Sequence, residues 1–185
     1  MDRTRFKDAL WLPQGEEQCL IGGCGGIGSW LSFFLARAGF EVVIYDPDTV
    51  EEVNMAGQLF SKSDIGKYKV QALYELSSKY CSKGITGFHD TIDEKFEMTS
   101  AFTFSAFDNM EARKNLFNAW KSGLDNYTVA PLFIDGRLEA EQLQIFCVSR
   151  KDVEKYENEQ LFDDAVVPNL SCTMKQTSHC AALIA

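Results

Sequence analysis

Short apolar runs separated by polar punctuation recur along this chain, and their lengths and periods predict alternating strands and helices. Cys19-Leu20-Ile21 is a compact apolar run that stops at consecutive glycines, the form of a strand entering a tight turn. Residues 29–38 carry Trp30, Leu31, Phe33, Phe34 and Leu35 before Gly39. This is too apolar for an exposed helix and suits one packed on a sheet. Glu41-Val42-Val43-Ile44-Tyr45 is a β-branched run closed by Asp46-Pro47-Asp48, the second strand of a β-α-β unit. A right-handed crossover then puts the glycine turn and Asp46 on one edge of a parallel sheet.

The alternation continues. The stretch 46–66 is long and polar for a connection in an α/β unit, and long loops of this kind usually carry function. Val70, Leu73, Tyr74 and Leu76 predict a helix over 67–80, followed by a strand at 85–88. A further strand over 101–106 ends at Phe107-Asp108-Asn109, and Ala112, Leu116, Phe117 and Trp120 mark a helix over 111–121. Two more runs, 131–135 and 142–148, are joined through Gly136 and an acidic turn, which predicts an antiparallel pair at the far side of the sheet. The charged stretch 151–164 reads as a solvated face or loop. Order resumes at Val166-Val167-Pro168, and 173–185 has a helical pattern that reaches Ala185 without a stop signal, as in a fragment truncated at its carboxyl end. The expected architecture over 1–185 is a single three-layer, Rossmann-like α/β domain, its sheet mostly parallel with an antiparallel extension.

Composition narrows the function classes. A hydrophobic share of 45% over 185 residues supplies one sizeable core. A formal net charge of -9 disfavours broad nucleic-acid or anionic-membrane binding, both of which need a positive field. No run of roughly eighteen apolar residues occurs, and the amino terminus does not lead into a signal-peptide core, so a cytoplasmic location is expected. The six cysteines, Cys19, Cys24, Cys81, Cys147, Cys172 and Cys180, form no Cys-x-x-Cys pair and lie mostly in apolar runs, the pattern of buried thiols. Two separated histidines, His89 and His179, do not suggest a metal cluster.

Candidate chemistry begins at Gly23-Cys24-Gly25-Gly26-Ile27-Gly28. A turn without Cβ atoms lets backbone N–H groups approach a phosphate, and the following helix offers the positive end of its dipole. The Gly-x-Gly-x-x-Gly spacing usually suggests NAD or FAD, and Asp46 is placed to accept ribose hydroxyls as an acidic residue does in dinucleotide sites. Nucleotides of several kinds use the same turn, so the residues downstream must discriminate.

Those residues are Asp46-Pro47-Asp48-Thr49-Val50 with Asn54 and Gln58, then Asp64-Ile65-Gly66-Lys67-Tyr68-Lys69-Val70, then Phe107-Asp108-Asn109 with Arg113. Taken with the glycine turn, the series resembles the ThiF/MoeB/HesA family, bacterial relatives of ubiquitin-activating enzymes, over about residues 18–185. The resemblance implies ATP-dependent adenylation of a carboxyl terminus, commonly the di-glycine tail of a ubiquitin-like or sulfur-carrier protein, with release of pyrophosphate. It implies that Gly23, Gly25, Gly26 and Gly28 cradle phosphates, that Asp46 takes the ribose, and that Asp48, Asn54, Gln58 and Asn109 line the nucleotide. Lys69 matches the family's phosphate lysine, and Asp108 matches its Mg²⁺ ligand.

Such roles suit the reaction. A carboxylate must attack the α-phosphorus of a strongly anionic nucleotide, so cations and backbone donors have to offset the crowded charge. Cys172, preceding a helical pattern, is a candidate acyl acceptor, because a helix N-terminus lowers a thiol pKa. One departure stands out: the family usually carries an arginine where this chain has Gly57. Lys62 is one substitute; Arg3 or Arg5 reaching a neighbouring subunit's nucleotide is another, since the family is dimeric. An NAD- or FAD-dependent oxidoreductase and a non-catalytic scaffold paired with an active subunit remain alternatives.

Overall fold

The computed structural model describes residues 18–97, 100–127, 130–139 and 142–163. Six strands, β1 (Gln18–Gly22), β2 (Glu41–Tyr45), β3 (Ile85–Phe88), β4 (Phe102–Ser105), β5 (Leu132–Glu139) and β6 (Gln142–Val148), form one sheet in the order β3-β2-β1-β4-β5-β6. The pairs among β3, β2, β1, β4 and β5 are parallel, and β5 and β6 are antiparallel, as the sequence pattern predicts. The order reverses at β1. β2 and β3 extend to one side and β4 to the other, and the crevice at such a switch point is where open α/β sheets bind ligands.

Side-chain alternation builds the layers. Leu20 and Val43 join one apolar cluster while Ile21, Val42 and Ile44 join another, because successive residues of a strand point to opposite faces. Helices α1 (Gly26–Ala38) and α2 (Lys69–Tyr80) cover the face of Ile21 through Leu31, Ala36, Val70 and Leu73. Helix α3 (Met110–Ser122) covers the other with Leu116, Phe117 and Trp120, packed on Phe133. Fully burying each of these large side chains contributes about 2 kcal/mol. Among the described residues no helix is long and apolar enough to cross a membrane.

Two helix boundaries differ from the expectation. Helix α1 begins at Gly26, inside the glycine turn, so Gly26 and Gly28 belong to its first turn. Helix α2 begins at Lys69 rather than at residue 67, because Tyr68 is extended and Thr49 bridges to it.

The charged stretch 151–164 is corrected more substantially. Its residues 153–160 form a fourth helix, α4 (Val153–Gln160), which seats Val153 and Tyr156 in the core. One i, i+3 pair is too short a periodicity to be read against the charges around it. The thiols also need correction at one position. Cys19 and Cys24 are buried and Cys81 is half-buried, but Cys147 is exposed on the edge strand β6. Residues 166–168, Cys172, His179, Cys180 and the 173–185 pattern lie outside the described residues.

Candidate active site

The carboxyl ends of the parallel strands open on a cleft of about 510 Å³. The turn after β1 supplies Gly23, Gly25 and Gly26, the segment after β2 supplies Asp46, Asp48, Asn54 and Gln58, and α2 supplies Lys69. Asp108 and Asn109 enter from the end of β4. Of the expected nucleotide-binding residues among those described, Gly28 is the exception: it does not line the cleft.

The glycines divide by what surrounds them. Gly23 has φ of 95° and donates to the carbonyl of Tyr45 at 2.9 Å; a Cβ there would stand 2.8 Å from the carbonyl oxygen of Ala106. A Cβ on Gly28 would collide with the carbonyl of Gly23, so Gly28 is required for helix-strand packing rather than for ligand contact. A Cβ on Gly25 would meet nothing within 4 Å. The space above Gly25 belongs to the cleft. Gly25 is also the N-cap of α1, and no side chain caps that helix. An uncapped helix start of this kind is the arrangement that binds phosphate at helix N-termini.

Asp46 locks this turn to β2. One carboxylate oxygen accepts from the backbone N–H of Cys24 at 2.6 Å and the other from that of Asp48 at 2.9 Å. Burial pushes the Asp46 carboxyl above the usual carboxylate range, against the pull of those two hydrogen bonds and of Lys69. The same burial, with the charge of Asp46, pushes the neighbouring Cys24 thiol well above its ordinary value, so Cys24 is an inert core thiol rather than a nucleophile.

Lys69 is 6% exposed and stands at the first position of α2. A cation there opposes the helix dipole and loses hydration, both unfavourable without an anion. Asp48 supplies one: Nζ donates to its Oδ2 at 2.6 Å. Burial alone would lower the Lys69 pKa, but the hydrogen bond to Asp48 and the charges of Asp46 and Asp48 hold it above the ordinary lysine value. Lys67, by contrast, pairs with Asp64 and Glu75 in the same region.

Asn109 caps α3, its side-chain oxygen accepting from Ala112 N at 2.8 Å. Asp108 remains exposed beside it. Asn54 is also committed locally, accepting from Glu51 N at 2.8 Å, while the buried Oε1 of Gln58 has no hydrogen-bond partner among the described residues. The Gly57 carbonyl accepts from Trp30 Nε1 at 3.2 Å. Among the described lining residues, Lys69 is the one cation, facing Asp46, Asp48, Asp90 and Asp108. Lys62 is exposed and is not part of the lining. Among the described residues no group of three metal-ligating side chains occurs. A single aspartate does fit Mg²⁺ held jointly with phosphate oxygens, because that ion keeps several waters and uses few carboxylates.

Some lining residues carry no sequence signal of their own. Asp90, Thr91 and Ile92 follow β3, and Leu138 comes from β5. Only their place at the carboxyl end of a strand could have marked them. Arg113 lies behind the cleft, 4% exposed and ion-paired with Asp135.

Among solved structures, PaaA shares 19% identity with this chain at a TM-score of 0.66, covering 91% of this chain and 53% of PaaA. Escherichia coli MccB, solved with ATP, gives 22% identity and a TM-score of 0.59, covering 91% of this chain and 53% of MccB. Escherichia coli TcdA, a tRNA N6-threonylcarbamoyladenosine dehydratase, gives 17% identity and a TM-score of 0.62, covering 92% of this chain and 82% of TcdA. This chain thus spans about half the length of PaaA and MccB. None of the curated proteins matches it. These likenesses show the shared fold, and the sequence adds the lineage: the ThiF family model matches residues 14–175, and the chain belongs to the ThiF family.

Proposed function

We propose that this cleft binds ATP and adenylates the carboxyl terminus of a peptide or small protein. The observation that carries the reading is Lys69, a lysine buried at a helix N-terminus beside the uncapped start of α1 and the carboxylate of Asp46. Such a lysine is unfavourable without an anion, and Asp48, whose side chain is 60% exposed, can release it to a phosphate.

The turn at Gly25 and Gly26 and the first N–H groups of α1 hold phosphate oxygens, and the remaining lone pairs of Asp46 accept ribose hydroxyls. Lys69 offsets charge as a substrate carboxylate oxygen attacks the α-phosphorus; the bond to pyrophosphate breaks and an acyl-adenylate forms. Asp108 is the residue that would hold Mg²⁺, which when bound offsets charge on the phosphates. Asn109 and Gln58 line the nucleotide, with Oε1 of Gln58, which has no partner among the described residues, available to a donor.

The substrate class is a ubiquitin-like or sulfur-carrier protein with a glycine tail, or a related peptide. MccB has been solved with ATP and with MccA, whereas TcdA is named for a modified tRNA. The net charge of -9 and the four aspartates of the cleft favour a protein or peptide over RNA. A homodimer in which Arg3 or Arg5 serves the partner's nucleotide would replace the cation missing at Gly57, and Cys172 is a candidate acceptor for the activated acyl group.

ATP-pyrophosphate exchange tests the reading: a small protein ending in Gly-Gly should stimulate exchange that Lys69→Gln abolishes. Tight NADH binding with no ATP binding would sink it. Gly57 favours one second reading, a scaffold that binds nucleotide weakly and supports an active subunit, and such a protein gives no exchange with any carboxyl-terminal substrate.

A further inference from the structure

Asp135 on β5 is fully buried and accepts from three donors. Arg113 Nη1 takes one oxygen; Arg137 Nε at 2.7 Å and Tyr156 Oη at 2.8 Å take the other. Arg113 reaches in a second direction, its Nη2 donating to the carbonyl of Phe107 at 2.5 Å. Phe107 is held from its other side as well. Its ring occupies the space that a Cβ on Gly22 would need, and the preceding residue, Ala106, donates its N–H to the Gly22 carbonyl at 2.8 Å. The segment that delivers Asp108 to the cleft is therefore clamped by β1 on one side and by Arg113 on the other.

A buried ion pair contributes little net stability beyond what apolar side chains of the same volume would give. Its planar, two-acceptor geometry is what a packed apolar cluster cannot reproduce. We propose that Asp135 is a positioning residue for Asp108: it orients the Arg113 fork, which fixes the Phe107 carbonyl and with it the direction in which the next residue presents its carboxylate. This rests on the reading of Asp108 as the Mg²⁺ ligand.

The test has one arm without ligand and one with it, applied to the full chain. Arg113→Lys keeps the charge but replaces the planar two-nitrogen fork that joins Asp135 and Phe107 by a single nitrogen on a flexible stem; Asp135→Asn removes the charged anchor; Tyr156→Phe removes an outer hydrogen bond and leaves the Arg113 fork in place. In ligand-free protein, hydrogen exchange over residues 106–110 should speed up in Arg113→Lys and Asp135→Asn but not in Tyr156→Phe. By calorimetry with a non-hydrolysable ATP analogue, the gain in affinity that Mg²⁺ brings should fall about tenfold in the first two variants. Affinity in excess chelator should stay within about twofold.

Unchanged exchange over 106–110 in Arg113→Lys overturns the clamp. So does a Tyr156→Phe variant that loses Mg²⁺ dependence in step with its thermal stability, since the effect would then be one of stability alone. A wild-type protein whose nucleotide affinity ignores Mg²⁺ overturns the assignment of Asp108 and the metal half of the proposal, while the exchange arm still decides the clamp.

Discussion

Lys69 Nζ lies 2.6 Å from Asp48 Oδ2, and the two partners differ sharply in exposure: the lysine side chain is 7% exposed and the aspartate 60%. The cation is fixed by the fold, while its anion sits at the surface and is free to be displaced. On the proposed reading, a phosphate oxygen entering the cleft would take the place of Asp48 at a nitrogen that the fold holds in position.

Replacing Lys69 should therefore cost more than an exposed ion pair. Lys69→Gln leaves Asp46 and Asp48 without their cation, and the expected outcome is a loss of about 2 kcal/mol in nucleotide binding, the scale of a charge-assisted hydrogen bond. Isothermal titration with an ATP analogue measures it. Retention of wild-type affinity would remove Lys69 from the site.

Two glycines of one turn should respond oppositely. Gly25→Ala adds a methyl group into open space at a φ of -75°, so the protein should keep its melting temperature within a few degrees while phosphate approach is blocked. Gly28→Ala drives a Cβ into the Gly23 carbonyl and should unfold or severely destabilise the domain, by about 3 kcal/mol or more. Thermal denaturation and nucleotide titration of both variants separate the effects.

Acidification should weaken nucleotide binding earlier than an ordinary aspartate would allow. The folded-state pKa of Asp46 is raised by burial, and ribose hydroxyls need the ionised form as acceptor. Affinity is thus lost as pH falls through the raised value. The linkage to stability has the opposite sign: this group's contribution is fully present below its unfolded pKa and is lost as pH rises through the folded one. Binding titrations and melting curves taken from neutral pH downwards should diverge in this way for the wild type, and Asp46→Asn should flatten the binding profile.

Supplying the missing cation should help. Gly57 has a φ of -138°, which any residue adopts, and it lines the cleft. Gly57→Arg is expected to raise ATP affinity by up to about fivefold at low ionic strength, with the gain shrinking as salt is added. An unchanged affinity at every salt concentration would mean that the phosphates lie elsewhere.

Much of the fold was legible along the chain because strands and helices announce themselves over a few residues. The run from Val42 to Ile44 and the stop at Gly39 appear where their patterns predict, whereas β5 continues through Gly136 to Glu139, past the predicted end at residue 135, because Gly136 pairs with Ile145 in the ladder instead of turning the chain. The short helix Val153–Gln160 was not legible, since two apolar residues among charges carry too little periodicity; the partners of Tyr156 lie in other elements. The candidate site was legible as a set of residues, the glycine turn and Asp46 through their strand-turn-helix context and Lys69 and Asp108 through the family resemblance, and the fold gathers them at one cleft.

What each of those residues does was decided by contacts between distant positions. Gly25 and Gly28 are the same letter in one motif, yet one faces open space and the other backbone. Asp46 closes on an amide 22 residues earlier, and Asp135 holds an arginine that governs the approach to Asp108. Local stereochemistry sets which backbone a segment adopts, so the sequence by itself determined most of the elements, their alternation and the glycine turn. Burial, ion pairing and the division of the glycines depend on what packs against what, and only the assembled sheet, with both faces covered, decided those.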